Sequence, residues 1–463
     1  MKTRVDDINY NIYNIKTTPK GKNKYGLNED IIKEISKKKN EPSWVLDIRL
    51  KALKFYNELP MPNWGPDLSE LDLDTIASYV ETDNKEVDDW EKVPEDIKGV
   101  FDKLGIPEAE KKSLGGVGAQ YDSEMIYHKM SEELKEKGII YENFDTALKN
   151  HEELVKEYFT KCMPINNHKF IALHYALFSG GSFVYVPKGV KITDPLQSYF
   201  RLNSPGAGQF EHTLIIVEDD ASLEFIEGCS APGYNELNLH CGCVELFVKN
   251  NSYLKFSTIE NWSKNLLNLN TKKAIVGENS KMEWIMGSFG SKISMLYPMT
   301  VLNGDNSKCE MTQMSFAGKG QNLDTGMKVI HNAKNTSTRV NSKSISKDGG
   351  ICTFRSNVWV RKNADNSKLA LSCESLMLDS ESRSDTIPVS NIENENITFS
   401  HEAKIGKISD DTIFYLMSRG LSEEEAISML VRGFAEPVSK EFPIEYAVEM
   451  NRLINLELEG SIG

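Results

Sequence analysis

The chain has no GxxxxGK[ST] segment, so ATP hydrolysis is not its own chemistry. No GxGxxG opens a helix after a strand, and HExxH and GxSxG are missing, which removes the usual dinucleotide-binding, zinc-protease and serine-hydrolase signatures. No CxxC pair occurs, which argues against a structural zinc site. The seven cysteines, at positions 162, 229, 241, 243, 309, 352 and 373, are odd in number and scattered, unlike a secreted disulfide framework. In a reducing compartment they are free thiols, ligands or sulfur carriers. No apolar run approaches membrane-spanning length, and the opening MKTRVDDINYNIYNIK has no hydrophobic signal region. The cytoplasm is therefore the expected compartment. Excess positive charge is also lacking. Lys plus Arg is 54 against 68 for Asp plus Glu, a net charge of -14, which leaves no electrostatic footprint for nucleic acid or an anionic membrane.

What is present is length and a repeat. At 463 residues the chain can bury a large core and is expected to hold more than one domain. Residues 1–165 read as an N-terminal helical region. Its lysine-rich opening fits a disordered segment. Residues 43–53 follow helical spacing with Ser43 as N-cap, ended by Pro60, Pro62 and Trp64, and 123–137 and 144–159 carry further helical patterns. From Gly180-Gly181 the period changes to strand-like runs rich in β-branched and aromatic residues, including 182–187, 213–217, 244–248, 253–256 and 357–360. A polar turn marks each repeat: Ala221-Ser222, Asn251-Ser252, Asn279-Ser280, Asn306-Ser307, Asn335-Thr336, Asn366-Ser367 and, more weakly, Asn396-Ile397, at steps of 27 to 31 residues. Such a period is the signature of a stacked architecture. Regular spacing without Asn-Gly hairpin turns favours a β-solenoid over an antiparallel meander. The expected fold is α+β, a β-helix core domain over 166–402 between the N-terminal helices and a C-terminal helical domain over 403–463. In that last domain 410–419 is amphipathic, Ser422 to Glu425 forms a capping box, and a final helix starts near Pro443. These helices serve either as a cap on the solenoid end or as a surface for a partner.

In a stack, residues at matching places on successive repeats become neighbours. Cys373 follows its turn marker by six residues, and His401 and Glu402 follow theirs by four and five. Rungs lie about 4.8 Å apart, so a thiolate, an imidazole and a carboxylate from adjacent rungs can meet at one metal, a set suited to iron–sulfur clusters or zinc. His401 and Glu402 are consecutive, however, and share a face only where a bulge or strand end turns them together. Cys229, with Gly, Ser and Pro around it, reads as an accessible loop thiol able to accept sulfur. It lies five repeats from Cys373, roughly 24 Å, too far to share a metal. Cys241 and Cys243 in His240-Cys241-Gly242-Cys243 share a strand face, but two buried core thiols are the better reading. Glu374, Asp379 and Glu381 are the carboxylates that a carbohydrate-active β-helix enzyme would need paired on one face.

Many segments in one order resemble the SufB/SufD family of the SUF iron–sulfur cluster assembly system: PSWVLDIRLKA with Pro60 to Trp64, GIPEAE, GAQYDSE, GGSFVYVPKGV, IEGCSAP, GENSKMEW, GDNS, Asp324-Thr325-Gly326, SCESLML, SHEAKIG and RGLSEEEAISMLVRGF. The likeness spans nearly the whole length, and the long N-terminal region and Cys373 bring it nearer the scaffold subunit SufB than its paralogue SufD. The resemblance implies a right-handed parallel β-helix and a scaffold, not an enzyme. It also implies C-terminal helices that dock a SufC-type ABC ATPase, and a SufD paralogue or second copy as companion. Sulfur would come as persulfide from a desulfurase with a SufE- or SufU-type carrier. It implies Cys229 as sulfur acceptor, and Cys373, His401 and Glu402 as the place where a transient iron–sulfur cluster, expected to be 4Fe-4S, is built. No motif supports a flavin. Ser400 and Ile392 stand where a proteobacterial relative has Glu and Cys, so no role carries over to them.

Overall fold

The computed structural model describes residues 23–81, 86–95, 97–98 and 114–459; the lysine-rich opening and the GIPEAE segment lie outside them. The repeat folds as a β-solenoid of about eight turns. One sheet stacks the strands Leu196–Arg201, Ser222–Ser230, Tyr253–Asn261, Lys281–Phe289, Lys308–Ala317, Ser337–Ser346, Ser367–Met377 and Ile397–Lys407, all parallel and in register. A second sheet returns each turn, ending in Asn322–His331, Ile351–Val360 and Arg383–Ile392.

The turn marker works through the backbone. Asn251, Asn279, Asn306, Asn335 and Asn366 all sit at φ between 56 and 61°, the left-handed region that asparagine tolerates better than most residues. Their amides then ladder along the axis: Asn279 Nδ2 donates to Asn251 Oδ1 at 3.2 Å and Asn306 Nδ2 to Asn279 Oδ1 at 2.9 Å. The first marker moves by one residue. Asp220, at φ 62°, occupies the asparagine position, accepting from Asn251 Nδ2, so Ala221 faces Ser252.

Strand alternation gives each rung two faces. Inward residues such as Phe225, Phe256, Trp284, Met311, Val340 and Leu371 fill the solenoid interior. The outer face of the second sheet packs on the N-terminal helices, including Ser43–Glu58 and Lys169–Leu177. The outer face of the first sheet presents Ile226, Ile259, Ile285, Phe316 and Ile345 to Val431, Val438, Met450 and Leu453 of the C-terminal helices Glu423–Ser439 and Ile444–Glu459. Those helices therefore run back along the solenoid's side and do not cap its end. The capping box is formed: Glu425 N–H donates to Ser422 Oγ and Ser422 N–H to Glu425 Oε2.

The N-terminal region departs from the helical expectation. Gly116–Tyr121 extends the first sheet, Glu124–Met130 pairs antiparallel to it, and Ile140–Asn143 pairs antiparallel to Gly181–Val186. The 123–137 pattern thus resolves into a strand and the short helix Glu132–Glu136. Burial of Ile126 and Tyr127 against Val117, Ala119 and Tyr199 overrides the helical period. The 144–159 pattern breaks at His151 into Phe144–Asn150 and Glu152–Tyr158. Antiparallel strands so close the N-terminal end. At the other end Ile397–Lys407, which runs beyond residue 402, pairs only with Ser367–Met377 among the described residues and is largely exposed.

Candidate functional site

Cys373 and His401 meet on the last two rungs. In the register Leu371 faces His401, Ser372 faces Glu402 and Cys373 faces Ala403. Residues 371 and 373, like 401 and 403, point inward, so His401 lies diagonally across from the thiol, and Cys373 Sγ is 3.5 Å from His401 Nε2. Sulfur and nitrogen bound to one tetrahedral ion at ordinary ligand distances would be about 3.6 Å apart, so the pair is already at metal-sharing distance. Cys373 is 2% exposed, and burial pushes its thiol up to about 12. It is a protonated thiol at neutral pH, and its proton is lost to solvent when a metal–sulfur bond forms.

Glu402 lies on the other side of the strand. The register runs unbroken over eleven residues, with no bulge to turn the side chain inward. It is exposed and paired with Lys404 at 3.1 Å. The structure thus brings together two of the three residues that turn spacing aligned.

Cys229 is not in a loop. It lies within Ser222–Ser230, flanked in register by Phe200 and Glu260, and is buried. Gly228 lets the rung close here, since a Cβ would lie 2.5 Å from the Tyr199 ring. Burial raises the Cys229 pKa well above the ordinary value, and Glu227, Glu260 and Glu211 add to it, against Lys272. Lys272 Nζ donates to Glu227, and both are fully enclosed.

The register also shows what separates the two cysteines. Cys229 lies in an inward column that continues toward the last rung with Glu260, Ser288, Ser315, Ser344 and Ser375. Cys373 lies in the adjacent column, which from Glu227 passes Thr258, Met286, Gln313 and Ser342 to reach it. Every rung between them carries at least one buried hydroxyl, amide or carboxylate on this face. Some bond along the axis: Gln313 Nε2 donates to Ser342 Oγ at 2.8 Å and Ser344 Oγ to Ser375 Oγ at 2.8 Å. Buried polar groups at this density mark a hydrophilic interior, since each would destabilise a purely apolar core.

The carboxylates considered for carbohydrate chemistry are otherwise engaged. Glu374 pairs with Lys343 at 2.8 Å, and Asp379 accepts from the backbone of Asp348, Glu381 and Ser382 and from the Ser382 hydroxyl. Cys241 and Cys243 are both buried in the core beneath the N-terminal helices. Cys243 also converges with His174 and His212, two residues that sequence reasoning passed over. His212 and Cys243 are exact register partners one repeat apart, so turn spacing was a usable signal for that pair. His174, on a helix, had none.

Comparison with known proteins follows this geometry. The family model described as "SUF system FeS cluster assembly, SufBD core domain" matches residues 200–434, and "SufBD protein N-terminal region" matches 119–198. The chain belongs to the SufBD family. It is 53% identical over 438 residues, covering 95% of this chain and 94% of the relative, to an iron-sulfur cluster assembly SufBD family protein of Staphylococcus haemolyticus. Identity and coverage are the same for like-named proteins of Staphylococcus epidermidis and Staphylococcus aureus. Iron–sulfur cluster assembly is the family function. The SufBD core match takes in seven of the eight stacked strands of the first sheet, the end of the eighth, Leu196–Arg201, and most of helix Glu423–Ser439. No helix among the described residues is long and apolar enough to cross a membrane.

Proposed function

We propose that this SufBD chain is a SufB-type scaffold that takes persulfide sulfur at Cys229 and assembles a transient iron–sulfur cluster at Cys373 and His401. The observation that carries the reading is the 3.5 Å approach of Cys373 Sγ to His401 Nε2 on the terminal rungs. In the loading step the Cys229 sulfur attacks the outer sulfur of a donor persulfide. The donor's S–S bond breaks, its thiol leaves, and no net oxidation occurs. The polar interior columns offer hydrogen-bonding groups along the roughly 24 Å between the two cysteines. Glu402 joins the site only if the terminal strand rearranges.

Two surfaces support an assembly. The exposed edge strand Ile397–Lys407 and its neighbour Arg383–Ile392, with Val389, Ile392, Phe399 and Ile405 exposed, suit a companion that continues both sheets, a SufD paralogue or a second copy. Phe414, 73% exposed, with Tyr415, Met417 and Met429 also exposed, forms an apolar patch on the C-terminal helices that suits a SufC-type ATPase. ATP hydrolysis belongs to that partner, because this chain has no phosphate loop, and the chain acts as scaffold rather than enzyme. All seven cysteines are free, which suits a reducing cytoplasm.

Anaerobic reconstitution with iron and a persulfide donor tests this. Cys373→Ala and His401→Ala are expected to lose most of the cluster absorption, and Cys229→Ser to lose persulfide loading while still binding preformed cluster. Wild-type absorption in Cys373→Ala refutes the assignment. No cluster in any form, with or without the ATPase, points to a SufD-like structural subunit.

A further inference from the structure

We propose that His174, His212 and Cys243 form a closed site for a divalent transition-metal ion of the zinc class, joining the N-terminal helices to the first rungs of the solenoid. One nitrogen from each imidazole and the Cys243 sulfur all lie within 4.8 Å of one another, and all three residues are fully buried. His212 and Cys243 face each other on the neighbouring strands His212–Val217 and Cys243–Val248. His174 reaches them from the helix Lys169–Leu177.

With Glu245 ionised, the hydrogen bonds of this cluster do not close without a cation. His174 Nδ1 lies 2.9 Å from the Cys241 carbonyl oxygen, which only accepts, so Nδ1 carries the proton. In the neutral ring Nε2 is then a lone pair, and it faces His212 Nδ1 at 3.0 Å. If His212 Nδ1 donates there, its Nε2 is a lone pair turned toward Glu245 Oε1 at 3.5 Å, with no hydrogen-bond partner. If Nε2 instead carries the proton toward Glu245, two lone pairs oppose each other. An ionised Glu245 only accepts, and its oxygens already take Tyr175 Oη and the Thr160 and Met163 N–H groups. A metal between His174 Nε2 and His212 Nδ1 satisfies every group at once. Two nitrogens on one tetrahedral zinc are about 3.3 Å apart, close to the 3.0 Å found.

The surroundings are those of a metal site. Ligating imidazoles commonly direct their second N–H to a carboxylate or a backbone carbonyl; here His212 has Glu245 and His174 has Cys241 O. Burial holds both rings neutral, His174 to about 4 and His212 well below the ordinary value, which is the ligating form. Two imidazoles and a thiolate select zinc over hard cations. Binding releases the Cys243 thiol proton as the metal–sulfur bond forms. Because the ligands are enclosed, the ion enters as the chain folds. The absence of CxxC is no obstacle, since the ligands come from successive rungs and a helix. The site is about five rungs, roughly 24 Å, from Cys373 and does not depend on the scaffold reading.

The test is to unfold the full chain, strip it with chelator and refold it with Zn²⁺ or Co²⁺. One equivalent of metal per chain is expected, with Co²⁺ giving thiolate charge-transfer and intense tetrahedral bands. Cys373→Ala keeps both signals, while Cys243→Ala and His174→Gln lose them. Should those variants fail to fold, wild type decides: its refolding yield rises with Zn²⁺ and falls with chelator. A wild-type chain that refolds fully without metal and takes up none when Zn²⁺ is supplied overturns the proposal, as does a cobalt spectrum unchanged in Cys243→Ala.

Discussion

Lys272→Met removes one charge from the solenoid interior and should cost far more than a surface ion pair. Lys272, Glu227 and Glu260 are all fully buried. Burial opposes the Lys272 charge, but Glu227 and Glu260 outweigh it and hold its pKa above the ordinary value. Thr258 Oγ1 donates to Glu227 at 3.1 Å and Asn268 Nδ2 to Glu260 at 2.7 Å, so the carboxylates keep hydrogen bonds but lose their cation. Methionine preserves most of the stem's packing. Breaking a buried pair from one side costs about 3–5 kcal/mol, against about 0–1 for an exposed pair. The loss is read from urea unfolding. The double variant Lys272→Met/Glu227→Gln removes one stranded charge and should recover a large part of it. The single variant should also slow alkylation of Cys229, because Lys272 opposes the acidic groups that keep this thiol protonated. A loss below about 1 kcal/mol, or a double variant no more stable than the single, would show that water or rearrangement satisfies these carboxylates and would refute the reasoning.

Glu457 lies buried on the last helix, where burial raises its pKa from the ordinary 4.5 to about 7 against the pull of Lys264 and Lys347. A raised carboxyl pKa favours the docked helix fully below 4.5, and this advantage, about 3 kcal/mol, is lost as pH rises to about 7. Hydrogen-exchange protection of Ile444–Glu459, corrected for intrinsic rates, should therefore fall over that window, and Glu457→Gln should flatten the profile; an unchanged profile in the variant would assign the pH dependence elsewhere. Asn279→Ala should cost about 1–2 kcal/mol through its left-handed backbone, and Asn279→Gly less; a glycine variant worse than alanine would show the amide ladder to be the larger contribution. Phe414→Asp should abolish capture of a SufC-type ATPase while leaving thermal unfolding unchanged, because Phe414 is exposed; retained capture would remove this patch from the interface.

Much of the fold was legible because a strand's period and a rung's length are local properties. Asparagine tolerance of a left-handed turn, repeated every 27 to 31 residues, dictated the stack and aligned Cys373 with His401. Where the local reading failed, distant contacts had intervened. Glu124–Met130, within the 123–137 segment, became a strand because its apolar residues found Val117 and Tyr199. Cys229 became a buried strand residue because both neighbouring rungs pair with it, despite the Gly, Ser and Pro around it.

The amino-acid sequence by itself determined the solenoid, its register, the alternation that parts Glu402 from His401, and the family likeness that directs attention to Cys229 and Cys373. Only the tertiary structure decided which outward faces are covered, that the C-terminal helices lie along the first sheet and leave the terminal rung open, and that a helix delivers His174 to His212 and Cys243. The reason is physical. Alternation defines two faces on every strand, but what buries the outer one is chosen by packing among segments far apart in the chain, and no local period encodes that choice.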